Sequence, residues 1–466
     1  MLFMGPSKEF PMKNSNFGVV FEEHNYMKVF LLVPLFFLVI SLQAQGSISG
    51  SFSPAEDYTW LIAYHLKPDT QVYVADTAIK DGEFEMILPE NSPSGTYRLV
   101  YAVPQEEFYF DIIYSEKERL ELTFNTEQEL SFARSQENIL FSTYFKEIQK
   151  AERRLVSYYT NGSSDMDEFK KITQNYKFVQ HSFIEKSDDL MAQEFIKANN
   201  PYIPEKFETI DQYLKKRKEK YFDALDVSNP VLQASGFLSD KLGHYIFTAL
   251  PLETMTTKET EKAMQDNLRT VVKKLDGTSN AYEFNMLHTI WLQASARNFQ
   301  NLSDTIYDDY LTTKATTPEQ KKIIAEIALQ NRLRLGAIAP EITWKDGAGL
   351  KSLSQLEGSE KYVLIFWSST CGHCLRELPA LHKRLKENTK VKVIAIGLED
   401  DNANWKIESA KLEAFEHAIT LGKWDSEYAA LYGINATPTY FILDSDKSII
   451  AKPESDKEVV AFLEKE

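Results

Sequence analysis

Residues 366–374 have the sequence Phe366-Trp367-Ser368-Ser369-Thr370-Cys371-Gly372-His373-Cys374, and this segment holds both cysteines of the 466-residue chain. The apolar run before it, residues 362–365, predicts a buried strand. After it, within residues 375–382, apolar side chains recur at helical spacing. We therefore expect the cysteine pair at the point where a strand ends and a helix begins.

This position has consequences for the chemistry of the thiols. Cys371 is expected at the helix N-terminus, where free backbone N–H groups and the helix dipole favour an anion. A lowered pKa would make the Cys371 thiolate available as a nucleophile near neutral pH. Cys374 lies one turn further on and could attack a mixed disulfide formed at Cys371. His373 is predicted to tune the redox potential, because stabilising a thiolate makes the corresponding disulfide a better oxidant.

The main alternative for a Cys-x-x-Cys pair is a zinc site. Such a site needs two further ligands. The chain has no other cysteine, and His382 and His417 do not show ligand spacing. Redox chemistry is therefore the favoured interpretation, and neither a metal nor a cofactor is predicted.

Three segments resemble the thioredoxin fold, and within it the TlpA/ResA-like thiol–disulfide oxidoreductases. The first is the Phe-Trp-x-x-x-Cys-x-x-Cys segment, which is followed five residues later by Pro379. The second is Ala436-Thr437-Pro438-Thr439-Tyr440-Phe441, and the third is Ala339-Pro340-Glu341-Ile342-Thr343-Trp344, the expected start of a hairpin. The resemblance covers about residues 336–466 and implies a thioredoxin-like α/β domain that exchanges disulfides with protein clients.

The resemblance also implies roles for residues around the thiols. Pro438 would be a cis-proline opposite the pair, where it would present the Thr437 backbone to a bound substrate and keep metal away. Trp367 would pack beneath the site, and Pro379 would lie at a helix kink. Both are predicted to support the site rather than to react.

Glu377 lies three residues after Cys374 and is predicted to handle its proton. Thioredoxin itself uses a buried Asp one residue before the Phe-Trp pair, and this chain has Ile365 at that position. The resemblance to ResA-like proteins therefore assigns the role to Glu377. The alternative is an ordinary exposed helix glutamate.

The N-terminus carries a predicted targeting segment. Met27-Lys28 precedes an apolar run over residues 29–40, which is broken by Pro34. The run is shorter than the roughly 18–20 residues of a membrane-spanning helix, so it predicts a secretory signal cleaved near residues 44–46. An uncleaved membrane anchor is the alternative. Residues 1–26 are interpreted as an over-extended start, and the mature protein is expected in the periplasm or cell envelope.

The remaining chain divides by the period of its apolar residues. Residues 46–133 alternate with a period of two and predict an antiparallel β-sandwich, which resembles the N-terminal β domain of exported Bacteroidetes thioredoxin-module proteins. Residues 134–335 have helical spacing and predict a helical domain. With 1–45 as start and signal peptide and 336–466 as the thioredoxin-like domain, the predicted class is multidomain α+β.

The function predicted from these features is exported thiol–disulfide exchange with protein disulfide or dithiol clients. The net charge of −16 argues against nucleic acid and anionic membrane surfaces as partners. His373 favours an oxidising direction, whereas the resemblance favours reduction fed by a membrane electron donor, so a membrane donor or acceptor is a further expected partner.

Two other functions compete with thiol–disulfide exchange. A peroxiredoxin-type peroxidase would need proline at position 364, where the chain has leucine. A partner-binding scaffold would make the thioredoxin module a subordinate part of the protein.

Overall fold

The computed structural model describes residues 46–125, 130–347 and 349–465. The predicted signal segment lies outside these described residues. The chain divides into two compact units, one ending at Lys314 and the other formed by Ala315–Glu466. Within the described residues, no helix has the length and apolar character needed to span a bilayer.

The first unit begins with strands that form two four-stranded sheets. The strands are β1 (Ser47–Ser53), β2 (Trp60–Lys67), β3 (Thr70–Ala78), β4 (Glu83–Ile87), β5 (Gly95–Val100), β6 (Tyr109–Tyr114), β7 (Arg119–Asn125) and β8 (Ser131–Arg134). Their order is β4-β1-β7-β8 in one sheet and β3-β2-β5-β6 in the other. Neighbouring strands run antiparallel except β1 and β7, which are parallel.

Aromatic side chains fill the space between the two sheets. The Phe52 ring on β1 lies 6.2 Å from the Phe110 ring on β6, and Phe110 stacks on Phe124 of β7 at 5.2 Å. Along β7, buried and exposed residues alternate, as expected for a strand with one face toward the core. The predicted sandwich is therefore confirmed. The parallel β1–β7 pair departs from a purely antiparallel sandwich, because alternation does not specify which strands pair.

Helices make up the rest of the first unit. They are α1 (Gln136–Thr160), α2 (Met166–Lys186), α3 (Ala192–Ala198), α4 (Ile210–Glu219), α5 (Pro230–Gln233), α6 (Phe237–Thr248), α7 (Thr257–Leu275), α8 (Asn280–Ala296), α9 (Gln300–Thr305) and α10 (Thr312–Lys314). The buried Asn138 of α1 joins the helices to the sandwich, because its amide accepts from the Ile113 N–H at 2.9 Å and donates to the Ile113 carbonyl at 2.6 Å.

The second unit is a five-stranded mixed sheet with helices and a small hairpin. Its elements are α11 (Pro318–Arg332), β9 (Thr343–Asp346), β10 (Gly349–Ser352), β11 (Lys361–Trp367), α12 (Gly372–Leu385), β12 (Val391–Glu399), α13 (Ala403–Ser409), β13 (Glu416–Leu421), α14 (Glu427–Tyr432), β14 (Thr439–Leu443), β15 (Ile449–Ala451) and α15 (Asp456–Glu464). The order is β13-β12-β11-β14-β15, with β11, β12 and β13 parallel and β14 and β15 antiparallel to their neighbours.

The central strand β11 is buried on both faces, which explains its unbroken apolar sequence. Val363 and Ile365 face one core cluster, which includes residues of α12. Leu364 and Phe366 face a second cluster on the other side of the sheet, which includes Tyr432 of α14. The expected α/β arrangement with both faces covered is confirmed.

The helix α11 lies in this second unit, although its helical spacing groups it with residues 134–335. Leu333, just after α11, is part of the second core cluster, and Leu329 packs against that cluster. The unit therefore begins before residue 336.

Candidate active site

Cys371 is the N-cap residue of α12, directly after the turn that follows β11. Its Sγ accepts a hydrogen bond from the backbone N–H of Cys374 at 3.4 Å, in the way that a capping side chain satisfies a free N–H in the first helical turn. Cys371 is partly exposed, whereas Cys374 is fully buried. Both thiols are free in this structure. A reagent from solvent can therefore reach Cys371 before Cys374.

The surroundings separate the two thiols in acidity. Burial raises the pKa of Cys371, but hydrogen bonds from Cys374 and from the backbone of His373 outweigh it, so that the net pKa lies below its ordinary value. Burial is the main cause that raises the pKa of Cys374 to about 12, and its hydrogen bond to Cys371 adds to the increase. The arrangement favours a Cys371 thiolate beside a neutral Cys374 thiol.

The segment before β14 lies opposite Cys371. The Thr437–Pro438 peptide bond is cis. The Thr437 carbonyl oxygen lies 3.4 Å from Cys371 Sγ, at hydrogen-bond distance for a thiol donor. Because β14 pairs with β11, the start of β14 lies beside the end of β11, and this brings Thr437 to the thiol. Thr437, for which the resemblance implies a substrate contact, therefore lies beside Cys371, and Pro438 follows it; the substrate contact stays a prediction.

Glu377 lies between two partners from different elements. Its Oε1 is 2.6 Å from Nε2 of His373, one turn earlier on α12. Its Oε2 accepts a hydrogen bond from the Tyr440 hydroxyl of β14 at 2.8 Å. The His373 side chain is 60% exposed and the Glu377 side chain 17%, so the pair leads from the interior to solvent. Glu377 is not the exposed helix glutamate of the alternative interpretation.

Trp367 and Pro379 occupy structural positions near the thiols. Trp367 ends β11, is 1% exposed and belongs to the same core cluster as Cys374. Pro379 lies inside α12 and lacks an N–H, so the Leu375 carbonyl has no backbone donor from the usual helical position. Their supporting role at the site stays a prediction.

Glu399, at the end of β12, is a buried carboxylate that the sequence reasoning missed. Its Oε1 accepts from the Ser369 N–H at 2.5 Å, and its Oε2 accepts from the Ser368 hydroxyl at 3.3 Å. These bonds hold the turn that carries Cys371. The sequence predicts Glu399 in an acidic loop after a strand at 391–396, whereas the structure extends that strand to Glu399 and pairs it parallel to β11. The signal that could have found it is its place after that strand, because the carboxyl ends of parallel strands meet at one edge of a sheet.

The two histidines considered as metal ligands make other contacts. His382 Nε2 accepts from the Ala414 N–H at 3.2 Å, and His417 Nε2 lies 3.0 Å from the Leu412 carbonyl. In the part of the chain that the structure describes, no group of three or more His, Cys, Asp or Glu residues is arranged to hold a metal ion.

A family profile, that of the AhpC/TSA family, matches residues 335–452. The C-terminal unit contains a thioredoxin-like domain of this family. The matched residues include both cysteines and the strands β9 to β15 around them. This C-terminal domain is of the thiol–disulfide oxidoreductase type.

Several individual proteins are similar to part of this chain. The chain is 29% identical over 116 residues to the thioredoxin-like protein YneN of Bacillus subtilis, covering 25% of this chain and 68% of that protein. It is 30% identical over 98 residues to a thioredoxin-like protein of Haemophilus influenzae, covering 21% and 56%. A solved domain of a possible thiol-disulfide isomerase from Cytophaga hutchinsonii is 27% identical, covers 28% of this chain and 92% of its own, and has a TM-score of 0.26. The similarity to these proteins is confined to a minor part of the chain.

Proposed function

We propose that this protein is an exported thiol–disulfide oxidoreductase that exchanges disulfides with protein clients through Cys371 and Cys374. The observation that carries the proposal is the asymmetry of the pair. Cys371 is accessible and its pKa is lowered, whereas Cys374 is buried and its pKa is raised to about 12. This is the arrangement that an attacking and a resolving thiol require.

The exchange takes place in two displacements. The Cys371 thiolate attacks one sulfur of a client disulfide, the client S–S bond breaks, and the other client sulfur leaves as a thiolate. Cys374 then loses its proton and attacks Cys371 Sγ, which forms the Cys371–Cys374 disulfide and releases the second client thiolate. The client gains the two electrons that the cysteine pair loses, and the same steps in reverse oxidise a client dithiol.

The client segment is proposed to bind along the Thr437 backbone, next to Pro438. The contact between the Thr437 carbonyl and Cys371 Sγ supports this place, because a bound segment there would lie within reach of the attacking sulfur. The requirement for an extended, accessible client segment makes a protein or peptide the expected substrate.

Trapping tests this function directly. In the full chain, Cys374→Ala should arrest exchange after the first displacement and leave clients joined to Cys371 by a disulfide. The matched control is the Cys371→Ala/Cys374→Ala double variant, which should trap nothing. A defined set of trapped proteins supports exchange with clients, whereas the absence of any trapped protein supports the scaffold alternative.

The direction of exchange depends on the reduction potential of the pair. A potential near thioredoxin's value of about −270 mV would indicate a reductase that needs an electron donor, such as a membrane protein. A value between about −120 and −180 mV would indicate an oxidase or isomerase. A redox titration against glutathione or dithiothreitol buffers measures it. The lowered pKa of Cys371 favours the oxidising end, because it stabilises the reduced form.

Export to the periplasm or cell envelope is proposed from the apolar run over residues 29–40. N-terminal sequencing of the protein recovered from the envelope fraction tests it. Cleavage near residues 44–46 is expected. Recovery of the uncleaved chain in the membrane fraction would support the anchor alternative instead.

A peroxidase is the competing enzymatic function, and the site argues against it. Position 364 is a buried leucine on β11 rather than the proline of the peroxiredoxin motif. The Ser368 hydroxyl, three residues before Cys371, bonds to Glu399 and Thr370. We expect no peroxide consumption by the reduced protein, and rapid turnover of hydrogen peroxide would contradict this.

A further inference from the structure

Tyr440 is a buried tyrosine whose hydroxyl bonds to a carboxylate near the thiols. It is 1% exposed and belongs to the core cluster that also contains Cys374. On the sheet, Tyr440 is the direct cross-strand partner of Ile365 in β11. Side chains of paired residues share a face, so the Tyr440 ring lies on the face that α12 covers.

The bond partner of this hydroxyl distinguishes Tyr440 from other buried tyrosines of the same domain. Tyr362 donates to the Leu356 carbonyl at 2.9 Å, and Tyr432 donates to the Pro340 carbonyl at 2.5 Å. Both bonds satisfy a buried hydroxyl with a backbone acceptor. Tyr440 instead donates to the Glu377 carboxylate.

Glu377 is placed to interact with Cys374. The two residues are three positions apart on α12, so their side chains are neighbours on one helix face. The Tyr440 bond to Oε2 and the His373 contact to Oε1 together fix the carboxylate from both sides. Other groups act on this array electrostatically, namely Cys374 and Asp456 at the start of α15, both of which affect Tyr440.

We propose that Tyr440 is a positioning residue that holds Glu377 to receive the proton of Cys374, and that His373 connects this carboxylate to solvent. The inference rests on the proposed thiol–disulfide exchange and concerns its second displacement. It assigns a task to Tyr440 that packing alone does not require.

The proton follows a defined route in this step. Cys374 gives its proton to the Glu377 carboxylate and becomes a thiolate, whose electron pair forms the bond to Cys371 Sγ. The bond from Cys371 Sγ to the client sulfur breaks, and the client sulfur leaves as a thiolate with the electron pair of that broken bond. Glu377 passes the proton to the exposed His373 imidazole and so to water. Burial and the Glu377 bond raise the pKa of Tyr440, so the hydroxyl remains a donor throughout.

The test uses the full chain and the aromatic disulfide 5,5′-dithiobis(2-nitrobenzoate) in a stopped-flow instrument. The reduced protein releases one thionitrobenzoate when Cys371 attacks the reagent and a second when Cys374 displaces the bound one. The first phase reports the proposed function, and the second reports proton removal from Cys374. Tyr440→Phe deletes only the hydroxyl.

In Tyr440→Phe, we expect the first phase to be unchanged and the second to slow about tenfold at neutral pH, a fraction of the effect of a full general base. The slowing should shrink at alkaline pH, because hydroxide can then remove the proton. Glu377→Gln should slow the same phase, and adding Tyr440→Phe to it should have little further effect. The matched control Tyr432→Phe should leave both phases unchanged.

Two results in the Tyr440→Phe variant would overturn the inference. An unchanged second phase in Tyr440→Phe at every pH would leave the hydroxyl without this task. Equal slowing of both phases, with no relief at alkaline pH, would show that the substitution only disturbs the structure. A parent protein that lacks the first phase would overturn the proposed function itself, and the inference with it.

Discussion

Cys371 and Cys374 differ in exposure and acidity although they are only three residues apart. The cause is local, because Cys371 caps the helix at its solvent-facing end while Cys374 points into the core cluster beneath the sheet. A hydrogen bond from the Cys374 thiol is one of the causes that lower the pKa of Cys371, and a substitution can remove it. The two thiols are therefore coupled, and a change at one should be measurable at the other.

A first prediction follows from this coupling. Replacing Cys374 by Ala removes the hydrogen bond from its thiol to the Cys371 thiolate but keeps the bond from the backbone N–H of residue 374. Hydrogen bonds to charged groups contribute about 1.5–3 kcal/mol. The pKa of Cys371 should therefore rise. Alkylation by iodoacetamide at pH 7 should slow by roughly threefold or more, because each pKa unit above the pH lowers the thiolate fraction about tenfold. Mass spectrometry across a pH series measures it. The urea-unfolded variant is the control, and an unchanged native profile would contradict the prediction.

A second prediction concerns the buried Glu399. Glu399→Ala would leave the buried Ser369 N–H without its acceptor, which should lower the free energy of unfolding by about 1–3 kcal/mol. Urea denaturation of the dithiol form measures the change. Glu413→Ala, at an exposed position, should stay within about 0.5 kcal/mol of the parent. Equal losses in both variants would show that the Ser369 contact contributes nothing.

At the scale of elements, the contact between α11 and the end of α14 is a tight approach that depends on glycine. Gly433 follows α14 with a φ of 60°, and a Cβ there would lie 2.7 Å from Leu329 Cδ2 of α11. Gly336 also has a positive φ, of 82°, but a Cβ added there would meet nothing within 4 Å. The two glycines therefore separate backbone strain from the cost of the helix contact.

The third prediction uses this matched pair. Gly336→Ala should cost about 1–2 kcal/mol from the left-handed backbone alone. Gly433→Ala should cost roughly 1 kcal/mol more, because Leu329 must also shift. Chemical denaturation of the full chain, followed by a signal from the C-terminal unit, measures both. Equal costs would mean that Leu329 accommodates the added methyl group freely.

Local sequence patterns predicted elements well and pairings between distant elements poorly. The strand at 361–367, the helix after Cys371 and the strand after Pro438 are where their periodicity indicates, because each depends on neighbours within a few residues. The parallel β1–β7 pair and the Tyr440–Glu377 bond join segments about 70 and 63 residues apart. No local pattern encodes such a partner. The roles assigned to the site residues remain predictions until the exchange is measured.

At the scale of the whole molecule, the C-terminal unit has its own core and includes α11. The matching family profile begins at residue 335, after α11 has ended, so homology alone would place the boundary too late for this chain. Leu329 and Leu333 contribute apolar surface to the core that the shorter segment lacks.

The fourth prediction compares two fragments. Residues 315–466 should fold cooperatively on their own and retain thiol exchange. Residues 336–466 should be less stable by at least about 2 kcal/mol, because burying a leucine contributes about 1.5–3 kcal/mol and two are lost. Urea denaturation of both fragments measures the difference. Indistinguishable midpoints would place α11 outside the folding unit.

Because Cys374 is fully buried, its reactivity toward a thiol reagent reports whether the protein is folded. A bulky maleimide should modify one sulfur per reduced native molecule and two after denaturation, since the chain has no other cysteine. The number of maleimide groups bound per chain in a purified preparation therefore measures how much of it is folded. A value between one and two gives the fraction of molecules that is unfolded.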